Sequence, residues 1–280
     1  MTHGRMRSDR SHSSGLLCVL LLGLLMLWPG GARANEALVW LKTDWPPVFT
    51  PQGNGFGDQA LDWLIGRLPG YQHSMQNLPL ARLLKTMERQ DVAVCASGLA
   101  RTPNRERQFL ISRDFMHMPA LALVVRADAI DAFASFRRAD GGVDMQRLIA
   151  HDRLKGGIND NRSYGPALDA MLQDAPLVRL SKTSNMVSML AARRLDWVVL
   201  YPFEATQQAR QETPVPDIAG LSIAGIPGLI EGGITCNRTA GGQRVIAEID
   251  RLIAAHPSWP WMAPMLDWLD PETRRRLTAR

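Results

Sequence analysis

The sequence has few of the residues that build metal and redox sites. Only three of its 280 residues are cysteine and six are histidine, and no CxxC or HExxH spacing occurs. Such spacings are what bring several ligands to one ion, so we expect no metal site and no bound cofactor. The net charge is also small: residues 1–34 carry four arginines and one aspartate, which leaves +2 on the remainder. A chain with so little excess positive charge is not expected to bind nucleic acid.

The sequence also lacks an apolar run long enough to span a bilayer, which takes about 20 residues. The stretch Leu16–Leu27 is about 12 residues long, and three basic residues precede it, at Arg5, Arg7 and Arg10. Pro29 and two glycines then interrupt it before an A-x-A pattern at Ala32–Ala34. These three parts in this order are typical of a signal peptide. We therefore expect export to the periplasm, with residues 1–34 removed by cleavage after Ala34.

After residue 34, strand-like and helix-like segments alternate, which indicates an α/β sheet rather than a sandwich. The predicted strands are Ala37–Leu41, Asp91–Cys95, Ala120–Val125, Leu154–Ile158 and Trp197–Leu200. The predicted helices are Gln59–Leu68, Leu78–Glu88, Pro166–Leu172, Met186–Arg193 and Gln243–Ala255. Two irregular segments, Met116–Pro119 and the glycine-rich Gly225–Ile234, interrupt the alternation and are expected to cross between two α/β units.

The segment Asp91–Arg107 combines a short strand with a turn and a helix start. Gly98 ends the strand, and Thr102 with Pro103 suits the first turn of a helix. Arg105 follows within that turn, so a guanidinium and a hydroxyl lie beside free backbone N–H groups. This combination can bind a carboxylate, because arginine meets it with two donors. The alternative is a surface turn with solvated arginines.

Five segments resemble those of periplasmic solute-binding proteins of family 3, the type that captures polar amino acids. Residues Gly98–Arg105 are similar to that family's G-x-[ST]-x-T-x-x-R segment. The other four, in the family's order, are Thr43–Pro47, Gly55–Asp58 with the helix after it, Phe109–Phe115, and Arg194–Val199. The resemblance covers most of the chain after residue 34, and departures at Ala100 and Tyr201 mark the chain as an atypical branch.

The resemblance implies a two-lobed fold of the type II periplasmic binding proteins, with two hinge strands crossing between the lobes. It divides the chain into lobe 1 (residues 35–118), lobe 2 (119–226) and a return to lobe 1 (227–280). In such a fold the ligand lies in the cleft between the lobes, and closure of the hinge covers it.

Carried over to this sequence, the family pattern assigns Arg105 as the clamp for a ligand carboxylate. Thr102 adds a hydroxyl donor, and Gly98 permits a close approach of the backbone. Ala100 stands where relatives usually have a hydroxyl side chain, so one donor is lost.

A second departure concerns the ligand's amino group. Relatives that bind amino acids place an acidic residue after the strand that corresponds to Trp197–Leu200, whereas this chain has Tyr201. A phenol with a pKa near 10 does not neutralise an ammonium group at neutral pH. Glu204 can take over if its loop turns inward. Without it, a carboxylate, an aromatic acid or a modified peptide fragment fits at least as well as an ordinary amino acid.

Three further residues are candidate ligand contacts. Trp45 follows the first strand, where it can stack on a ligand or cap the core. Arg162 and Ser163 precede the helix at Pro166 and can receive an anion or simply cap that helix.

Cys95 and Cys236 remain after cleavage of the signal peptide. The resemblance puts both in strands of lobe 1, so they can form a disulfide or stay as two buried thiols.

The function expected from this pattern is capture of a small polar or acidic ligand by a monomeric periplasmic protein, without catalysis. The closed form would be presented to the membrane component of an ABC transporter or to a sensor. Two alternatives remain open from the sequence. One is an enzyme on the same scaffold, similar to dehydratases of cyclic acids, with His117 and Glu204 as acid–base candidates. The other is a signalling or assembly partner that binds no ligand.

Overall fold

The computed structural model describes residues 1–2, 36–159, 163–181 and 186–278. The expected signal peptide and its cleavage site lie outside these residues, apart from the first two, and so does Arg162. Among the helices of the described segments, none is both long and apolar enough to cross a membrane.

Lobe 1 is built on a five-stranded sheet with the strand order β2-β1-β3-β10-β4. Its strands are β1 (Glu36–Lys42), β2 (Tyr71–Asn77), β3 (Ala93–Ala96), β4 (Leu110–Pro119) and β10 (Leu229–Cys236). The first three run parallel, and β10 lies antiparallel between β3 and β4. All four residues of β3 are buried, as expected for a strand covered on both faces.

Lobe 2 is built on a second sheet with the order β7-β6-β8-β5-β9. Its strands are β5 (Ala122–Arg126), β6 (Gly156–Asn159), β7 (Val178–Leu180), β8 (Trp197–Leu200) and β9 (Ile218–Leu221). Position 156 accommodates only glycine because the ring of Trp197 occupies the space of a side chain: a Cβ there would lie 2.1 Å from the ring.

Nine α-helices occur in the described residues, and most begin at a proline or a polar cap. They are α1 (Phe56–Ile65), α2 (Leu80–Thr86), α3 (Pro103–Gln108), α4 (Met145–Ile149), α5 (Pro166–Leu172), α6 (Met186–Ala191), α7 (Pro202–Ala209), α8 (Ala240–Ala255) and α9 (Pro271–Thr278). Two 3₁₀ helices, Ala127–Phe136 and Pro260–Trp268, complete the set. Proline at the first position of α3, α5 and α7 is favourable because the N–H it lacks would have no helical partner.

The chain passes between the sheets twice, at residues 119–122 and 221–229. The expectation that Met116–Pro119 is irregular is wrong, because these residues form the end of the ten-residue strand β4. They pair with Leu229–Gly232 of β10, the region expected to be the second crossing. Thus the glycines of β10 belong to a strand, and their partner lies more than 100 residues away in the chain.

A buried ion pair organises the loop between β1 and α1. The Lys42 ammonium lies 2.5 Å from Asp58 Oδ1, and both side chains are less than 10% exposed. Asp58 Oδ2 accepts hydrogen bonds from the backbone N–H groups of Thr50 and Gly55, while Lys42 donates to the carbonyl of Thr50. One carboxylate therefore ties the end of β1, the middle of the loop and the start of α1 together.

Cys95 and Cys236 form a disulfide across the neighbouring strands β3 and β10. The two residues are 141 positions apart in the sequence. Of the two alternatives left open by the sequence, the structure has the disulfide, and it fastens the returning strand to the part of lobe 1 that precedes lobe 2.

The C-terminal segment contacts both lobes. The indole Nε1 of Trp261 donates to the carbonyl of Phe115 in lobe 1. Asp270, at the start of α9, accepts a hydrogen bond from the backbone N–H of Gly220 in β9 of lobe 2. The segment expected to return to lobe 1 therefore also packs on lobe 2.

Candidate functional site

A cavity lies where β4 and β10, the two hinge strands, connect lobe 1 to lobe 2, beside the end of β8. It contains about 470 Å³ of empty space, part of it open to solvent. Its walls are mostly apolar and are formed by Trp45, Gly98, Leu99, Ala100, Met116, Met118, Tyr201, Ile230, Glu231 and Gly232. This is the position at which a two-lobed α/β protein is expected to bind a ligand.

Two aromatic rings of the cavity wall, Trp45 and Tyr201, pack against a third, Phe203, and together the three rings join the two lobes. Tyr201 stacks on Phe203, with ring centroids 5.2 Å apart, and Trp45 meets both rings edge-on at 5.6 Å. Phe203 belongs to α7, which follows β8 of lobe 2, yet its fully buried ring packs in the core of lobe 1. Lobe 2 thus inserts an aromatic side chain into lobe 1 next to the cavity.

Glu204 is part of the same contact between the lobes. Its Oε1 accepts a 2.8 Å hydrogen bond from the indole Nε1 of Trp45, and the residue is 8% exposed. The carboxylate therefore does turn inward, but it is engaged by the tryptophan and is absent from the cavity lining. Trp45 itself both lines the cavity and fastens lobe 1 to lobe 2.

Local structure explains why Trp45 occupies this position. Its backbone N–H donates to the carbonyl of Phe49, and the N–H of Phe49 donates back to Trp45. The Lys42–Asp58 ion pair holds the next residue of this loop, because both side chains form hydrogen bonds with the backbone of Thr50. The orientation of a cavity-lining ring thus depends on a buried charge pair in the loop behind it.

The turn after β3 supplies the opposite wall. Gly98 has φ +81°, and a Cβ at this position would lie 2.7 Å from the ring of Phe49, so both the backbone conformation and the packing require glycine. Thr102 caps α3 by accepting the backbone N–H of Arg105. Its hydroxyl hydrogen remains available to another acceptor.

Arg105 lies directly behind this wall. Its guanidinium donates a 2.7 Å hydrogen bond to the carbonyl of Ala100, a residue that lines the cavity. The side chain is half-buried, and desolvation by burial lowers the pKa of Arg105 below its usual value. Arg105 and Thr102 border the cavity without lining it in this conformation.

Ser163 occupies a different environment. Its hydroxyl donates to Asp169 Oδ2 at 2.6 Å and accepts the backbone N–H of Gly165, at the start of α5. These are capping interactions of a helix terminus, and Ser163 does not line the cavity. Its assignment as a ligand contact remains a prediction.

Two residues of the hinge strands add titratable groups beside the cavity. Glu231 of β10 lines the cavity and pairs in register with His117 of β4. The Nε2 atom of His117 is buried and lies 3.9 Å from Glu231 Oε1. Burial lowers the pKa of His117, and the nearby charges of Glu231 and Asp114 partly oppose that effect.

Three of the residues expected at the ligand site line the cavity, namely Trp45, Gly98 and Tyr201, but the sequence-based expectation did not include most of the cavity's hinge side. Met116, Met118, Ile230 and Glu231 lie along β4 and β10, so which of them face the cavity depends on the register between strands that are far apart in sequence. When a strand pairs only with a partner far away in the sequence, the residues around it do not indicate which of its side chains face a cavity. The glycines of β10 stand out in the sequence, but they indicated a crossing between the lobes rather than a cavity wall.

Comparison with known proteins places the fold. No family model and no curated protein matches the sequence. Among solved structures, an ancestral cationic amino acid solute-binding protein superposes with a TM-score of 0.61 at 13% identity, over 84% of this chain and 96% of that one. A probable amino-acid ABC transporter extracellular-binding protein from Bacillus subtilis gives 0.59 at 17%, over 85% and 99%.

A third structure, the unliganded open L-cystine solute receptor of Neisseria gonorrhoeae, gives a TM-score of 0.57 at 15% identity, over 80% of this chain and 89% of that one. These likenesses confirm the expected fold: a two-lobed α/β arrangement of the type II periplasmic binding proteins, with the lobes joined in the manner of a Venus flytrap. At these identities they establish the fold and leave the ligand to be inferred from the site.

Proposed function

We propose that this protein captures a small solute in the cavity between its lobes, for transport or sensing. The observation that carries the proposal is the position of the cavity: its walls come from the turn after β3, both hinge strands and the end of β8. Any movement of one lobe against the other changes its shape. The structural neighbours are binding proteins of the same two-lobed kind, which supports a binding function over a catalytic one.

The composition of the walls suggests a ligand with an apolar or aromatic body and a carboxylate. Trp45, Tyr201, Met116 and Met118 offer ring faces and thioether groups that pack on such a body. Arg105 stands behind Ala100, where a rotation of its side chain would bring the guanidinium to a carboxylate at the wall. Tyr201 is a phenol and Glu204 accepts a hydrogen bond from Trp45, so among the lining residues Glu231 is the carboxylate that could meet an ammonium group on the ligand.

A thermal-shift screen tests this proposal. Small aliphatic and aromatic carboxylic acids, each paired with its amide, are added to the purified protein, and the melting temperature is measured. A ligand at 100 times its Kd stabilises the native state by about 2.7 kcal/mol, so the acids that bind are expected to raise the melting temperature, whereas their amides have a smaller effect. Mass spectrometry should then recover the ligand unchanged. Turnover would instead favour an enzyme on this scaffold.

Arg105→Ala is expected to weaken binding of such an acid by about 1.5–3 kcal/mol, the range for a hydrogen bond to a charged group, or about 10- to 150-fold in Kd. The value is moderate because the guanidinium is half-exposed and therefore partly screened. Arg107→Ala is the matched control, since Arg107 lies on the same helix, is exposed and does not border the cavity. Titration calorimetry of both variants measures the difference. Equal losses would contradict a specific role for Arg105.

We also propose that the mature protein begins at Asn35 and acts in the periplasm. The signal-like segment supports this, and so does the Cys95–Cys236 disulfide, because such bonds persist in oxidising compartments. The partner would be a transporter's membrane component or a sensor, contacted by a monomer. N-terminal sequencing of periplasmic protein is expected to start at Asn35. Recovery of the uncut chain in the membrane fraction would contradict cleavage.

A further inference from the structure

The hinge strands bring three metal-ligating side chains together on lobe 1. Asp114 and His117 belong to β4, and Glu231 belongs to β10. One ligand atom from each residue lies within 4.8 Å of the other two. We propose that these three side chains form a binding site for a first-row divalent transition ion such as Zn²⁺. The site adjoins the solute cavity, because Glu231 also lines that cavity, but the ion is a ligand separate from the solute.

An irregularity in the strand pairing creates the cluster. Glu231 pairs with His117 and Gly232 with Met116, but Gly233 pairs with Asp114, so Phe115 is an extra residue on β4. In a regular strand, residues 114 and 117 would point to opposite faces. The bulge removes that alternation and allows both side chains to reach Glu231. Gly233 permits the close approach of β4, because a Cβ there would lie 2.5 Å from the carbonyl of Ser112.

The unpartnered Nε2 atom of His117 indicates that a ligand can bind to it. Its Nε2 atom is buried and has no hydrogen-bond partner among the described residues, while the ring is held edge-on against Trp259. A buried imidazole nitrogen without a partner is unfavourable. An ion about 2.0–2.2 Å from both His117 Nε2 and Glu231 Oε1 would bridge atoms that are now 3.9 Å apart. Little rearrangement is needed, since Glu231 is exposed.

The charges around the cluster are compatible with a cation. Asp114 and Glu231 contribute two negative charges, and Arg101 contributes one positive charge through a 3.2 Å contact to Asp114 Oδ1. A carboxylate has two oxygens, so Asp114 can contact Arg101 and an ion at once, with Arg101 orienting it. Imidazole nitrogen favours Zn²⁺ and its first-row neighbours, whereas Mg²⁺ and Ca²⁺ prefer oxygen ligands.

The experiment is a Zn²⁺ titration of untagged, EDTA-dialysed protein against a chromophoric chelator, with no solute added. We expect one ion per chain, and His117→Gln and Glu231→Gln should each weaken binding by at least about tenfold, because even residues that only orient a metal ligand are typically worth about 10- to 100-fold in affinity. Glu231 is exposed, so its variant should fold normally. His151→Gln is the control, because His151 is half-buried like His117 but lies in lobe 2.

Three outcomes would overturn the site. The untagged protein could fail to compete with the chelator for Zn²⁺. The His117 and Glu231 variants could bind Zn²⁺ as tightly as the natural protein. Finally, Mg²⁺ could displace Zn²⁺ at equal concentration, which would exclude coordination by the imidazole. Because no solute is present, none of these results depends on whether the cavity binds a carboxylate.

Discussion

Lys42→Met is expected to lower the free energy of unfolding by about 3–5 kcal/mol, the range for removing one partner of a buried ion pair. Lys42 and Asp58 are both less than 10% exposed, so the substitution leaves a buried carboxylate without its counter-ion. Methionine fills a volume similar to the lysine stem, which keeps the packing and isolates the effect of the charge. Urea unfolding followed by far-UV circular dichroism measures the change.

The matched control for this variant is Lys85→Met. Lys85 also contacts a carboxylate, that of Glu88 at 2.6 Å, but both side chains are largely exposed, and exposed pairs contribute little. The unfolding midpoint of this variant should stay near that of the natural protein. A loss for Lys42→Met no larger than that for Lys85→Met would show that the buried pair does not hold the loop that carries Trp45.

The double variant Cys95→Ala/Cys236→Ala is expected to lose about 2–5 kcal/mol of unfolding free energy, near the upper end of that range. Removing a disulfide increases the entropy of the unfolded chain, and the increase grows with the length of the loop that it closes. Here the bonded residues are 141 positions apart. Urea titration of the oxidised natural protein and of the double variant measures the loss.

Reduction of the natural protein provides the comparison for this second result. Reduced protein and the double variant share an uncrosslinked unfolded state, so their midpoints should lie close together and well below that of the oxidised protein. Identical midpoints for the oxidised and reduced protein would contradict a stabilising disulfide.

Much of the fold could be predicted from the sequence, because the residues that mark the start and end of helices and strands lie within those elements. Helix α5 at Pro166–Leu172 and strand β8 at Trp197–Leu200 have the predicted bounds, since a proline or a run of β-branched residues marks each of them. Met116–Pro119 was misjudged because a proline and a histidine suggest a loop, whereas the partner that makes this segment a strand is β10. Pairing over that distance leaves no local pattern.

The site was predictable only in part for a similar reason. Trp45, Gly98 and Tyr201 lie just after strands, and strand ends are where α/β proteins place ligands. The sequence could not tell that Glu204 is engaged by Trp45, because these residues are 159 positions apart. Nor could it predict the cluster of Asp114, His117 and Glu231. Its members show no ligand spacing along the chain, and only a bulge opposite two glycines brings them together.

The disulfide also makes part of this chain a ring. The ring between Cys95 and Cys236 contains all five strands of the second sheet, together with α3, β4 and most of β10 from lobe 1. Lobe 2 therefore lies entirely within a closed loop, and the two ends of the chain outside the loop both belong to lobe 1. A protease that nicks any surface loop of lobe 2 therefore releases no fragment until the bond is reduced. The same bond would hold lobe 1 together if lobe 2 were exchanged for another domain. A different second lobe, joined at the two crossings, would connect to strands that the disulfide already links.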